Sequence, residues 1–205
     1  MRKLLQVLLT GVLCVWMAGA VQAANVVAPD AVVKDTAQKI MTKLRAEREA
    51  INKDSRRLYE LVDEIVLPHF DFERMSQWVL GKHWRGATPQ QQKEFIRQFR
   101  TLLVRTYSKA LMDNVDQEVR YLPLRSEPGA TDVTVKTEIP QQSGFPIPID
   151  YSMYLKNDAW KVYDVNIDGI SLVANYRTSF ANEIRKSGLD VLIKSLAERN
   201  AQSTG

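Results

Sequence analysis

After Asp116 the spacing of apolar residues changes from a period near 3.6 to a period near 2, and this change constrains the fold more than any other feature. Ahead of it, Val33, Ala37, Ile40, Met41 and Leu44 predict one helix. Leu58, Leu61, Val62, Ile65 and Val66 predict a second, which Pro68 ends. Phe70, Phe72, Met75, Trp78 and Val79 predict a short third helix stopped by Gly81. Thr88, Pro89 and Gln91 then form the start signal of a fourth: a capping threonine, a first-turn proline and a glutamine at capping-box spacing. Its stripe of Phe95, Ile96, Phe99, Leu102, Leu103, Thr106, Tyr107, Ala110 and Leu111 needs a large apolar surface opposite it. Arg97, Gln98, Arg100 and Lys109 lie largely off that stripe.

Past the change, Val133, Val135 and Ile139 alternate with Asp132, Thr134, Lys136 and Glu138. Ile147, Ile149, Tyr151, Met153 and Leu155 alternate with Pro148, Asp150, Ser152, Tyr154 and Lys156. A tight Asn157-Asp158 turn leads into a strand from Trp160 to Ile167. With Glu118 to Leu124 this makes four antiparallel strands, each with one more apolar face, the pattern of a sheet covered on one side. Pro140, Pro146 and Pro148 stiffen the irregular connection between the second and third strands. Leu172, Val173, Tyr176, Phe180 and Ile184 return the chain to helix. Gly188 breaks it, Leu189, Leu192, Ile193 and Leu196 resume it, and 200–205 read as frayed. The expectation is an α+β domain: a twisted four-stranded antiparallel sheet with helices packed on one face.

Arg2 and Lys3, the apolar run from Leu4 to Ala20, and Val21-Gln22-Ala23 predict a cleaved secretory signal peptide over residues 1–23, leaving 24–205 as one domain. No later apolar run approaches the ~20 residues that span a bilayer, so no transmembrane segment is expected in the mature chain. The single cysteine, Cys14, lies in the signal, which excludes thiol chemistry from the mature protein. Losing Arg2 and Lys3 halves the net charge of +4, and no basic tract remains, so nucleic acid is excluded as a partner.

Motifs for chemistry are sparse. His69 and His83 lack the spacing of a zinc pair on a helix, and no metal is expected. Nucleophile-elbow, Walker and Rossmann glycine patterns are all missing. Asp164 and Asn166 share a strand face with Trp160 and Val162 by alternation. Two readings of Asp164 follow: a general base, with Tyr151 or Tyr163 stabilising an oxyanion, or a carboxylate that pairs with a cation or caps a turn. The apolar stripes by themselves do not separate a packed core from a lined cavity.

Two segments carry more information. One is Gly81-Lys82-His83-Trp84-Arg85, then Thr88-Pro89 and the helix of Phe95, Phe99, Leu102, Leu103 and Tyr107. The other is Trp160-Lys161-Val162-Tyr163-Asp164-Val165, then Asp168-Gly169-Ile170-Ser171-Leu172-Val173-Ala174-Asn175-Tyr176-Arg177 and Phe180. Together they resemble the MlaC, or toluene-tolerance auxiliary, family of periplasmic phospholipid carriers, over nearly the whole mature chain.

The resemblance implies a cone related to the nuclear-transport-factor-2-like (NTF2-like) fold, enclosing an apolar pocket. It implies shuttling of glycerophospholipids between two membrane complexes to maintain outer-membrane lipid asymmetry. One complex would be an outer-membrane lipoprotein with porin, the other an inner-membrane ABC transporter bearing an MCE-domain protein. The lipid would be cargo, with no cofactor and no catalytic residue. Lining residues would be Phe72, Met75 and Val79; Phe99, Leu102, Leu103, Thr106 and Tyr107; Val133, Val135, Ile149, Tyr151, Met153 and Ile167; and Leu172 and Tyr176. Lys82, Arg85 and the 140–148 connection would be the nearest candidates for the headgroup, with a solvated or partner-facing role as the favoured reading of each, while Asp164 and Arg177 would be structural. Two acyl chains imply a pocket near or above the upper end of the usual ~300–1,000 Å³.

Overall fold

A computed structural model describes residues 26–202 apart from residue 142; the expected signal peptide lies outside these residues. Helices α1 (Pro29–Ala46), α2 (Arg48–Lys53) and α3 (Arg56–Ile65) lead into a 3₁₀ turn at Leu67–His69. Then come α4 (Phe72–Leu80), α5 (Lys82–Gly86) and the long α6 (Pro89–Asp113). Strands β1 (Arg120–Tyr121), β2 (Asp132–Ile139), β3 (Ile147–Lys156), β4 (Ala159–Ile167) and β5 (Ile170–Ser171) follow, and α7 (Leu172–Ser187) and α8 (Leu189–Gln202) close the chain.

Local chemistry sets the boundaries. Thr88 Oγ1 accepts from the Gln91 amide at 3.2 Å and the Thr88 amide donates to Gln91 Oε1 at 2.9 Å, which completes the capping box ahead of Pro89. Gly81 stops α4 at φ +54°, a left-handed conformation that favours glycine, and a β-carbon there would make an ordinary contact with the Arg177 guanidinium. The short helices α2 and α5 have too few residues for an apolar period to betray them. α8 continues to Gln202 rather than fraying at 200, because Asn200 is buried and its side-chain amide donates to Gln98 Oε1 at 2.7 Å and to Gln98 O at 3.0 Å.

Among the described residues the sheet is an antiparallel meander in the order β1-β2-β3-β4-β5, five strands rather than the four expected. The fifth is a two-residue strand, too short for alternation to reveal, that pairs Asn166 with Ser171 and Ile167 with Ile170. Asn157 and Asp158, at φ +50° and +60°, make the expected β3–β4 turn.

A register shift in the β3–β4 pairing corrects the reading of strand faces. Met153 pairs with Val162 but Ser152 pairs with Asp164, leaving Tyr163 as an extra residue on β4. One inserted residue exchanges the two faces beyond it. The buried set therefore runs Trp160, Val162, Val165, and Asp164 and Asn166 leave the face of Trp160 and Val162.

Asp71 ties α4 to the sheet. Its backbone amide donates to Val162 O at 2.9 Å, and Oδ1 accepts from the Arg74 amide at 2.9 Å as the N-cap of α4. Oδ2 accepts from Lys156 Nζ at 2.7 Å and from the Tyr154 hydroxyl. Burial by itself would raise the Asp71 carboxyl, but the Arg74 amide, Lys156 and Tyr154 outweigh it and hold the group below the ordinary carboxylate range. A carboxyl depressed in this way stabilises the fold above its unfolded value of ~3.9, and the contribution is lost as pH falls through the folded value. Asp71→Asn should therefore cost about 1–3 kcal/mol at pH 7 in urea unfolding, with the gap from the parent closing below about pH 4. A gap independent of pH would contradict this account.

Among the described residues, three hydrophobic clusters make up the interior. The first joins α4, α6, α7 and α8 around Phe95, Phe99 and Phe180. The second joins α1 to α3 with Val104 and Val115. The third lies on the sheet, from Val133, Val135, Met153, Trp160, Val162 and Val165 to Val33 and Leu172.

Candidate functional site

Where the three clusters meet, a cavity of about 280 Å³ remains open. Met75 and Leu103 come from the first cluster, Met41, Val62, Leu67 and Val104 from the second, and Val165 and Leu172 from the third. β2 and β3 contribute Ile139, Ile147, Ile149 and Tyr151, the last turns of α6 contribute Tyr107, Ser108, Ala110 and Leu111, and Asn114 follows the helix. Ala110 is exposed, so solvent reaches the cavity beside the C-terminal end of α6.

Among the described residues, no acid, lysine, arginine or histidine lines this space. The ionisable groups there are two phenols, and burial pushes both Tyr107 and Tyr151 up to about 12. Tyr176 stands beside Tyr107 and adds to its shift, while the Thr137 side chain beside Tyr151 opposes the effect of burial. The walls are therefore uncharged at neutral pH. Among the described residues no cluster of His, Cys, Asp or Glu is placed to hold a metal ion, and no helix is long and apolar enough to cross a membrane.

Of the residues expected to line a pocket, Phe72, Met75, Leu103, Tyr107, Ile149, Tyr151, Ile167 and Leu172 face the cavity. The other half of the expected set does not. Val79 and Phe99 are fully packed in the first cluster, and Leu102 and Tyr176 lean against it. Val133, Val135 and Met153 are closed over in the third cluster, and Thr106 is exposed on the outer side of α6. The cavity lies toward the end of the sheet where Ile139 pairs with Ile147, whereas Val133 and Met153 pair further along. Lining residues not anticipated include Met41, Val62, Phe70, Val104, Ser108 and Val165. Met41, Val62 and Phe70 lay on stripes already visible as apolar, Val104 and Ser108 lay off the stripe read for α6, and Val165 was hidden by the β4 bulge. The volume is also smaller than expected, at the bottom of the usual range for ligand pockets.

Asp164 has a structural post at the start of α7. Oδ1 accepts from the amides of Val165 at 2.8 Å and Val173 at 3.0 Å, and Oδ2 accepts from Ser171 Oγ at 2.5 Å. Ser171 in turn caps α7 by accepting from the Ala174 amide at 3.0 Å. Tyr163 donates to Asp132 Oδ1 at 2.9 Å and its ring faces the Arg74 guanidinium. Neither lines the cavity with Tyr151, so the geometry does not assemble the base and oxyanion donor that alternation had suggested. Asp164→Ala is expected to lower stability by about 1–3 kcal/mol in chemical denaturation, since it strands two amides and a hydroxyl. An unchanged midpoint would show that these bonds carry no net stability.

The likenesses to known proteins agree with this geometry. The family described as MlaC protein matches residues 34–198. The toluene tolerance protein ttg2D of Pseudomonas putida is 26% identical over 164 residues, covering 80% of this chain and 76% of its own. The intermembrane phospholipid transport system binding protein MlaC of Haemophilus influenzae is 24% identical over 180 residues, covering 85% and 83%. Among solved structures, a phospholipid-binding protein from Ralstonia solanacearum in complex with a phospholipid superposes with a TM-score of 0.80 at 33% identity. That match covers 87% of this chain and all of the other.

Proposed function

The chain belongs to the MlaC family, and from that premise we propose that it is a periplasmic phospholipid carrier whose cavity takes the acyl chains of its cargo. The observation that carries this reading is an uncharged, aliphatic and aromatic cavity at the junction of three cores, open beside the end of α6. Each methylene removed from water gains about 0.8 kcal/mol, so acyl chains cross water slowly unless shielded. A lining without a cation gives a phosphate no partner, so the headgroup stays in solvent.

The volume of about 280 Å³ is too small for two long chains, so loading must part the walls. The plane of parting is set by the clusters. The α3 walls belong to the second cluster and the sheet walls to the third, so the seam between them runs between cores, bridged by α1, which has Met41 in one and Val33 in the other. In this reading the layers form an NTF2-like cone around the cargo, the lipid is cargo rather than cofactor, and no residue is catalytic. Cargo is exchanged with an outer-membrane lipoprotein–porin complex and with the MCE-domain protein of an inner-membrane ABC transporter.

Organic extraction of the purified protein followed by mass spectrometry tests the reading. Glycerophospholipid near one molecule per chain is the expected result; lipid far below stoichiometry after purification without detergent would overturn it.

A further inference from the structure

We propose that Ser108 hydrogen-bonds an ester carbonyl of the cargo, so that the protein distinguishes ester-linked from ether-linked glycerolipids. The inference rests on the carrier reading and adds a polar contact to it. Ser108 lies on α6, is 3% exposed, and lines the cavity with no hydrogen-bond partner for its Oγ. Thr101 and Thr178 close back on the carbonyl four residues earlier, on Arg97 at 3.0 Å and on Ala174 at 3.1 Å, whereas the buried serines Ser76 and Ser108 do not, and of these two Ser108 is the one that lines the cavity. Asn114, the other polar residue of the lining besides the two phenols, is engaged, its Nδ2 donating to Ala110 O at 2.8 Å. A buried hydroxyl without a partner is costly, and although its Oγ is covered in the empty cavity, the parting of the walls that loading requires lets cargo supply the missing acceptor.

Position and charge identify which acceptor. Asn114 is partly exposed where α6 ends, and six residues of helix place Ser108 roughly 9 Å deeper along its axis. Val104 and Leu103, deeper still, present only hydrocarbon. A phospholipid entering tails first brings its ester groups to the level between wet headgroup and dry chains. An ester carbonyl is a neutral acceptor, suited to a single hydroxyl. A phosphate would need a cation, which the lining does not offer.

The test compares diacyl and dialkyl phosphatidylethanolamine of matched chain length, offered together in equimolar vesicles to delipidated protein, with bound lipid counted by mass spectrometry. The parent should take up the diester form about fivefold more, the ratio that one hydrogen bond of ~1 kcal/mol supplies. Ser108→Ala should load normally with a ratio near one, and Ser108→Thr, which keeps the hydroxyl, should retain most of the preference. If Ser108→Ala does not fold, the ratio on the parent protein still decides. Equal uptake by the parent, or a preference that survives Ser108→Ala, overturns the proposal while leaving the carrier reading intact. A parent that loads neither lipid overturns both.

Discussion

Replacing Ile149 with tryptophan is expected to strip the protein of lipid, by tenfold or more per molecule, while its far-UV circular dichroism stays native. Ile149 is half-buried and faces the cavity from the centre of the sheet, paired with Thr137 on one side and Ile167 on the other. An indole there occupies space that acyl carbon would otherwise fill. It relieves a void rather than crowding a core, so thermal stability should hold or rise. Val135→Trp is the control with the opposite outcome. Val135 is 1% exposed inside the third cluster and does not reach the cavity, so the added bulk overpacks a closed site. The expected cost is about 1–3 kcal/mol, a fall in melting temperature of roughly 2–4 °C per kcal/mol, with lipid per folded molecule unchanged. Full lipid content in a folded Ile149→Trp protein would place the acyl chains elsewhere.

Phe99→Ala should have the largest effect on stability. The ring is fully buried in the first cluster, 5.7 Å from Phe95, 5.3 Å from Tyr176 and 6.1 Å from Phe180 between centroids. The Tyr176 and Phe180 contacts are edge-on, an arrangement favoured by the ring quadrupoles. Truncation removes that packing and leaves a hole that neighbours on α4, α6, α7 and α8 fill only in part. The expected loss is about 3–5 kcal/mol, a large share of the ~5–15 kcal/mol that holds a typical domain together. Differential scanning calorimetry should show the drop, and the fraction that remains folded should carry its normal complement of lipid. A loss of lipid without a loss of stability would make Phe99 a wall of the site rather than part of its foundation.

The contrast between Ile149 and Phe99 marks the boundary of what the sequence carries. Both sit on unmistakable apolar faces, one by alternation and one by helical spacing, and both belong to the expected set. Periodicity records that a side chain is turned away from water. It does not record whether protein or a cavity lies opposite, because that depends on how far apart two elements stand. α6 shows this within one helix. Phe95 and Phe99 meet α7, while Leu103, Tyr107 and Leu111 reach the gap where the three clusters part, and the stripe does not change character between them. The polar contact in the cavity was hidden for a related reason. Ser108 is an ordinary helical serine until the absence of a partner and the lining around it are seen together.

Local chemistry was sufficient for the helix starts and stops at Thr88, Gly81 and Gly188, the Asn157-Asp158 turn, the meander of main strands and the α+β class. Each of these depends on residues a few positions apart, whose dihedral preferences and alternation act without help from the rest of the chain. The two segments quoted for the family were likewise readable in one dimension. Tertiary structure decided the rest. The single extra residue at Tyr163 exchanged the faces of β4 and turned Asp164 from a candidate base into an anchor for α7. The fifth strand formed because the chain at Ile170 returns alongside Ile167. The cavity, finally, is the space left where three cores meet, and such a space is set by distances between elements that no local preference encodes.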